Sequence, residues 1–435
     1  MKPASFDVES YVSPTGVHSD AYTDPEVFRL EMERIFESGW IYIGHESEVP
    51  EKGDYRTTFM GRQPVIFARG DDGAVRLMLN RCRHRGATVC QDQAGNSTFF
   101  RCHYHGWTYK NTGELAGVTL PDGYAACGFD VKTLSLAAAP RCESYRGFVF
   151  GSLSPEVEPV EEYLGPATAY IDRFVDSGSG LGVRVRRGVQ HRYRFQANWK
   201  LQMENTVDGY HPGFTHRSFF DMMADQTGKR ANPYFKRGKS PIRSKALRNG
   251  HAALDFGAGR SAEEFGDTFY ERVRNAPGAA AILEAFESEL GGEVARKELN
   301  RVIATGLNVA IFPNLGLIQS QIRVTRPISV DQTEVTLYPT ELVGADPRVN
   351  YLRRRAQEVF FGPAGLGGPD DVEMFRRCQV GLSAGAVGWT VLARGYDSEI
   401  EEGDGSEGDF SAENAQRAQY RQWRRLMAAE AGTEQ

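Results

Sequence analysis

Across its 435 residues the chain has no run of about 18 consecutive apolar residues, so no transmembrane helix is expected. Its first ten residues, MKPASFDVES, are polar and acidic with no apolar stretch, and do not read as a secretory signal. Cysteine is scarce, six in all, too few for a disulfide scaffold in a chain this long. Neither sign of charge dominates. Lys and Arg total 51 against 57 Asp and Glu, and the net charge of −6 offers no electrostatic reason for nucleic acid or anionic lipid as a partner. No G-x-G-x-x-G follows a strand-like run, so the chain is not expected to bind a dinucleotide itself. There is no internal repeat. What is present is a 40% share of hydrophobic residues, enough for a sizeable core in a chain longer than one domain of about 150 residues. These features together predict a soluble, cytoplasmic protein.

The segment DPEVFRLEMERIFESGW opens with Asp24 as a helix cap and Pro25 at the first helical position. Its apolar residues recur at helical spacing, predicting a helix that ends near Trp40. From 41 to 155, short β-rich runs such as PVIFARG, VRLMLN and RGFVFGSL alternate with Gly, Asp and Asn turns, the texture of an all-β module. Beyond it, VRRGVQHRYRFQA reads as a strand leading into a helix. Residues 215–265 read as polar and irregular. AAAILEAFESELGGEVARKEL reads as helical. The runs GLNVAIFPNLGLIQSQIRVTRPI and TEVTLYPTELV, separated by SVDQ, read as an antiparallel sheet. The acidic YDSEIEEGDGSEGDF reads as a surface loop, and SAENAQRAQYRQWRRLMAA as a C-terminal helix capped by Ser411. The predicted class is α+β: a β-module over 41–155, and a domain of antiparallel sheet and helices from 1–40 and 156–435.

Two loops in the β-module concentrate metal-binding side chains. RCRHRG and RCHYHGW supply Cys82-x-His84 and, after seventeen residues, Cys102-x2-His105. Zinc accepts Cys2His2 sets, but zinc knuckles pair like with like, whereas each loop here is mixed. A [2Fe–2S] cluster with two cysteines on one iron and two histidines on the other fits the ligand types and number, and neutral imidazoles raise its potential. Gly86 and Gly106 let backbone approach the sulfides, and Trp107 shields them. Cys90, Cys127, Cys142 and Cys378 have no such company and read as buried or incidental thiols.

A second constellation lies in NWKLQMENTVDGYHPGFTH. Helix-like spacing runs to Tyr210, placing Asp208 and His211 on one face as i and i+3. His216 would lie about 140° further round a continuous helix, so Pro212 and Gly213 are needed as a break that lets the imidazoles converge. Two imidazoles and a carboxylate form the facial triad of non-haem Fe(II) oxygenases. The carboxylate is either Asp208, close in sequence, or one of Asp370 and Asp371, which follow Pro369 at the start of a predicted helix.

Together, CRH…CHYHGW and NWKLQMENTVDGYHPGFTH resemble the large (alpha) subunit of Rieske non-haem iron aromatic-ring-hydroxylating oxygenases, over nearly the whole chain. The resemblance implies that Cys82, His84, Cys102 and His105 hold a Rieske [2Fe–2S] cluster, and that His211, His216 and Asp371 hold a mononuclear Fe(II). It makes Asp208 a bridge rather than a ligand, joining His211 to a cluster histidine matching His105 in a neighbouring subunit of a head-to-tail homotrimer. Asn205 matches a position near the iron. Also implied are a catalytic domain with a curved sheet covered by helices, O2 and an aromatic molecule as substrates, and electrons from NADH through a separate reductase, with or without a ferredoxin. Small beta subunits accompany some members, in an α3β3 arrangement.

FQANWKLQMENTVDGYH and HESEVPEKGDYRTTFMGRQPVI look most like the branch acting on aromatic carboxylates such as benzoate, anthranilate, salicylate and terephthalate, which predicts cis-dihydroxylation of such an acid. A substrate carboxylate needs a cationic partner. Arg323 and Arg326 in SQIRVTRPI are candidates, on opposite faces by strand alternation. Met203, Val207 and the sheet around Leu307–Leu317 are the expected pocket walls. A Rieske monooxygenase that hydroxylates or demethylates is the nearer alternative. A pure electron-transfer Rieske protein and a structural zinc module are the more distant ones.

Overall fold

A computed structural model describes residues 8–124, 130–177, 182–227, 242–256, 280–295 and 306–428. The chain divides into two compact units, Met32–Tyr163 and Met1–Glu31 with Leu164–Gln435. Among the described residues no helix is long and apolar enough to cross a membrane. Cys127 lies outside them; Cys90 is buried, Cys142 half-buried and Cys378 exposed.

The smaller unit is built on three antiparallel sheets. One orders Val75–Leu79, Gln63–Arg69, Asp54–Met60 and Ala94–Asn96; a second orders Arg141–Tyr145, Phe148–Ser152 and Ile41–His45. The third, Leu115–Gly117, Thr108–Lys110 and Phe99–Arg101, carries the second Cys/His loop. Cys82, Cys102, Trp107 and Tyr109 belong to one core cluster with Tyr55, Ile66, Met78 and Phe100.

The larger unit is organised by a ten-stranded sheet. Its centre is the meander Leu307–Ile311, Leu315–Ile318, Gln321–Ser329 and Gln332–Leu342; what read as one long run is three strands, and the turn at SVDQ joins the last two. These strands are nearly all buried, because helices cover the sheet. Trp199–Thr206 packs on the central strands, with Ala310, Gly316 and Arg323 directly paired across them. A Cβ at Gly316 would sit 3.4 Å from Thr206 Cγ2, so a bare backbone lets the helix approach closely. The same pairing turns Ala310 and Gly316 toward the helix, while alternation points Leu307 and Leu317 to the other face. Between Leu307 and Leu317, the side facing the helix therefore includes the small residues Ala310 and Gly316.

The Trp199–Thr206 helix is clamped at both ends. Asn198 caps it, accepting from Lys200 N at 3.1 Å and donating to Val330 O at 2.9 Å. At its C-terminus the carbonyls of Glu204 and Met203 accept from Gln416 and Gln419 of the Asn414–Ala428 helix, at 3.2 and 3.4 Å. Between them, fully buried Glu31 accepts from Trp199 Nε1 at 2.8 Å, Lys200 Nζ at 2.5 Å and Trp423 Nε1 at 2.7 Å. Lys200 also faces the Trp199 ring at 5.0 Å. Removing one member of such a buried pair typically costs about 3–5 kcal/mol.

Several local expectations change. Asp24 does cap the Pro25–Glu31 helix, accepting from Glu26 N at 2.8 Å, and π-type turns continue it over Met32–Glu37. The stretch 215–265 is not uniformly irregular: it contains the Arg217–Thr227 helix, docked through Phe219 against Phe360, and the strands Arg243–Ala246 and Ala252–Asp255. The acidic segment is not a loop but an edge hairpin, Ile400–Glu402 with Gly405–Asp409. Its carboxylates are neutralised by the adjoining strand, with Lys245 on Glu402 at 2.9 Å and Arg243 on Glu407 at 3.2 Å. Ser411 does not cap the last helix, which begins at Asn414; its hydroxyl donates instead to Asp409 at 3.1 Å.

Beneath the Trp199–Thr206 helix, Glu204 accepts from Tyr22 at 2.9 Å and from Tyr420. Burial lifts its carboxyl to about 7, although both tyrosines and Lys200 pull it down. The folded value lies above the unfolded one, so folded protein binds the proton more tightly. Its stabilisation is complete below the unfolded value, near 4.5, and is lost as pH rises through about 7. Denaturation midpoints across this range should fall with rising pH in the wild type relative to Glu204→Gln, by up to about 1.4 kcal/mol per pH unit. Parallel profiles would show that Glu204 ionises like an exposed carboxylate.

Candidate metal centres

The two Cys/His loops share one backbone design despite their different spacing. The carbonyl of Cys82 accepts from Gly86 N at 3.0 Å, and Cys82 N donates to Ala87 O at 2.8 Å. The carbonyl of Cys102 accepts from Gly106 N at 2.9 Å, and Cys102 N donates to Trp107 O at 2.8 Å. Both turns require positive φ, +77° at Gly86 and +74° at Gly106, which glycine adopts without strain. The loops bring the His84 and His105 rings to 4.5 Å, and the Trp107 indole stacks on His84 at 5.1 Å. The cysteines are buried and the histidines lie toward the surface. Burial, with the charges of His105 and Arg85, lowers the His84 pKa and favours the neutral imidazole.

In the larger unit the motif helix ends at Thr206, not at Tyr210. Val207–Tyr210 make the redirection attributed to Pro212-Gly213; Pro212 instead opens a one-turn helix, Pro212–Thr215, with His211 and His216 as its two caps. Asp208 and His211 therefore meet across a turn rather than along a helix. Asp208 Oδ1 accepts from Tyr210 N at 2.5 Å and His211 N at 3.3 Å, and its Oδ2 lies 3.4 Å from His211 Nδ1.

Asp371 arrives from the first turn of the Gly368–Leu382 helix. Phe375 of that helix packs on Phe195 at 5.1 Å, and Gln379 Oε1 accepts from Asn198 N at 2.9 Å, across 181 residues of sequence. That tie between the two histidine- and aspartate-bearing helices has no signal in the sequence. Asp371 Oδ1 reaches 3.5 Å from His211 Nε2 and 3.2 Å from His216 Nε2. Asp370 lies on the other side of His216, 3.6 Å from Nδ1, with its side chain 39% exposed against 9% for Asp371. Among the described residues, His211, His216 and Asp371 are a group whose donor atoms all lie within 4.8 Å of one another. Asn205 Nδ2 stands beside them, 3.3 Å from His211 Nε2 and 3.2 Å from Asp371 Oδ1. Burial raises the Asp371 pKa, but His216, His211 and Arg323 together outweigh it and hold the carboxyl below its usual range.

Comparison with known proteins matches two stretches of the chain. The Rieske [2Fe-2S] domain profile matches residues 39–133, and that of the ring hydroxylating alpha subunit (catalytic domain) matches 183–429. The chain belongs to the ring-hydroxylating oxygenase alpha-subunit family. This alpha subunit is 38% identical to toluate 1,2-dioxygenase subunit alpha of Pseudomonas putida, over 88% of this chain and 82% of that one. It is 37% identical to the 2-halobenzoate 1,2-dioxygenase large subunit of Burkholderia cepacia, over 86% and 79%. Its fold matches naphthalene 1,2-dioxygenase from Rhodococcus sp. bound to indole, with TM-score 0.77 and 28% identity over 95% of each chain. Family membership makes it an oxygenase that uses a Rieske cluster and a mononuclear iron, with electrons from a separate reductase.

The side chains of the alpha subunit fit these groups. His84 Nδ1 and His105 Nδ1 are buried without a hydrogen-bond partner, as ligand atoms facing a cluster would be. At the other centre, bonds of about 2.1 Å to one ion separate neighbouring donors by about 3 Å, close to the observed Nε2–Oδ1 distances. A further residue, missed in the sequence, is Tyr109: its hydroxyl lies 3.2 Å from Cys82 Sγ and accepts from Arg83 N at 3.0 Å. A hydrogen bond to a ligand sulfur stabilises the electron-rich reduced cluster. Redox titration of Tyr109→Phe should give a lower cluster potential than the wild type; an unchanged potential would remove Tyr109 from this role.

Proposed function

We propose that this chain is the terminal oxygenase of a system that cis-dihydroxylates an aromatic carboxylate. One O2, two electrons and two protons are consumed per ring, and NADH supplies the electrons through its reductase in the cytoplasm. The observation that carries this reading is the convergence of His211, His216 and Asp371 in a chain that also bears the paired Cys/His loops. The names of the toluate and halobenzoate relatives favour the carboxylate.

In this reading residues 41–155 form the Rieske domain, and 1–40 with 156–435 the catalytic domain. Cys82 and Cys102 ligate one cluster iron, and His84 and His105 the other. His211, His216 and Asp371 would hold the mononuclear iron. When bound, the cluster delivers electrons singly and the mononuclear iron binds O2. Asn205 would stand beside that iron, near His211 Nε2 and Asp371 Oδ1. Asp208 holds His211 through Nδ1 and, in a head-to-tail homotrimer with or without beta subunits, bridges it to the neighbour's His105. Supporting this interface, the aromatic side chains beside Asp208 (Tyr210 and Phe214) and beside His105 (Tyr104) are exposed.

Metal content separates ligand from bridge. Wild type should hold about three irons per chain, two in the cluster and one in the mononuclear site. Asp371→Ala should retain only the two cluster irons. Asp208→Asn should keep all three and lose turnover by about 10–100-fold or more. Loss of the mononuclear iron from Asp208→Asn, with retention in Asp371→Ala, would reverse the assignment. With reductase, NADH and 18O2, an aromatic acid should yield a diol carrying both labelled atoms; a single labelled atom would indicate a monooxygenase instead.

A further inference from the structure

Arg323 lies in the middle of the central sheet with 3% of its surface exposed. Its Nε is buried and has no hydrogen-bond partner, and among the described residues no hydrogen bond or ion pair reaches the guanidinium. The guanidinium stands over the Phe361 ring, 5.2 Å from its centroid. Buried Arg353 and Arg417 share the unpartnered Nε but differ at the terminal nitrogens: Arg353 donates to Thr340 at 3.3 Å and Arg417 is bound by Glu399, while half-buried Arg56 pairs with Glu48 at 2.9 Å. Arg326, on the opposite face of the same strand, pairs with Glu334 at 3.4 Å, which also takes Arg194 at 2.9 Å.

The direction of Arg323 follows from the register. It pairs with Gly316, whose Cα faces Thr206 of the histidine-motif helix, and with Leu337, which pairs in turn with His191. Tyr193, two residues along that strand, shares the face. Arg323 acts electrostatically on both Tyr193 and Asp371. The guanidinium therefore projects to the side of the sheet that holds the triad. Guanidinium is charged at every accessible pH, and a buried unpaired charge costs several kcal/mol. A fixed protein carboxylate would remove that cost permanently. A carboxylate that arrives with the substrate removes it only in the complex, and the planar fork matches it with two donors.

We propose that Arg323 is the cation that binds the carboxylate of the aromatic acid and so selects acids over neutral rings. This rests on the function proposed above and names the residue that would confer its specificity. Binding can be measured without turnover, by calorimetry on oxidised holoenzyme lacking reductase, with benzoate and its neutral isostere benzamide. Wild type should prefer benzoate by at least about tenfold, since charge-assisted hydrogen bonds favour it. Arg323→Gln should lose about 10–100-fold in benzoate affinity with benzamide affinity and iron content unchanged, and Arg323→Lys should recover part of the loss. Benzoate binding by Arg323→Gln at wild-type affinity, with full iron content, would overturn the role of Arg323 and leave the proposed function standing. Equal affinity of the wild type for the two ligands would overturn it even if Arg323→Gln failed to fold. Labelled diol formation from neutral arenes, with none from acids, would overturn the carboxylate reading of the function itself.

Discussion

A carboxylate buried beyond the reach of water holds the catalytic unit together. Glu31 comes from the N-terminal helix, Trp199 and Lys200 from the histidine-motif helix, and Trp423 from the C-terminal helix, so one side chain joins three distant parts of the chain. A buried ion pair is not in itself a strong source of stability, because desolvation offsets most of the attraction. Its effect is directional: only the arrangement that presents the indole N–H groups and Lys200 to Glu31 avoids an unpaired charge. The helix that leads to the metal ligands is thereby fixed in rotation and in depth.

From that fixed helix the ligand geometry follows with little freedom. Thr206 ends it, a turn stapled by Asp208 redirects the backbone, and a single helical turn separates His211 from His216. Asp371 is held to this arrangement by Gln379 on Asn198 and by Phe375 on Phe195. Neither contact involves the side chains of His211, His216 or Asp371. The two imidazoles offer Nε2 to Asp371, while their Nδ1 atoms face Asp208 and Asp370. Each carboxylate thus has a different task around the same pair of rings, set by which nitrogen it faces.

The electrostatics of the sheet differ between its faces. On the face opposite Arg323, Glu334 collects Arg194 and Arg326 into a neutralised cluster. On the face toward the Trp199–Thr206 helix, Arg323 stands against an aromatic ring and, among the described residues, in no ion pair. Small residues at Ala310 and Gly316 bring the helix close beside it. His211, His216 and Asp371 thus lie on the side of the sheet to which Arg323 projects.

Much of this was legible in the sequence because it is encoded locally. The Cys-x-His and Cys-x2-His loops with their glycines, the His-x4-His spacing, the Asp24 cap and the Asp370-Asp371 helix start are all set by residues a few positions apart. The acidic segment 396–410 was misread for the same reason: its charge suggested a loop, but Arg243 and Lys245, more than 150 positions away, neutralise it into a strand pair. The chain alone determined which residues can bind metal and roughly where each element begins. Only the tertiary structure decided that Asp371 rather than Asp370 faces both Nε2 atoms, and that Arg326 has an ion pair while Arg323, among the described residues, has none. Each of those choices depends on which face of a helix or strand is covered, and by what, and that is set by partners remote in sequence.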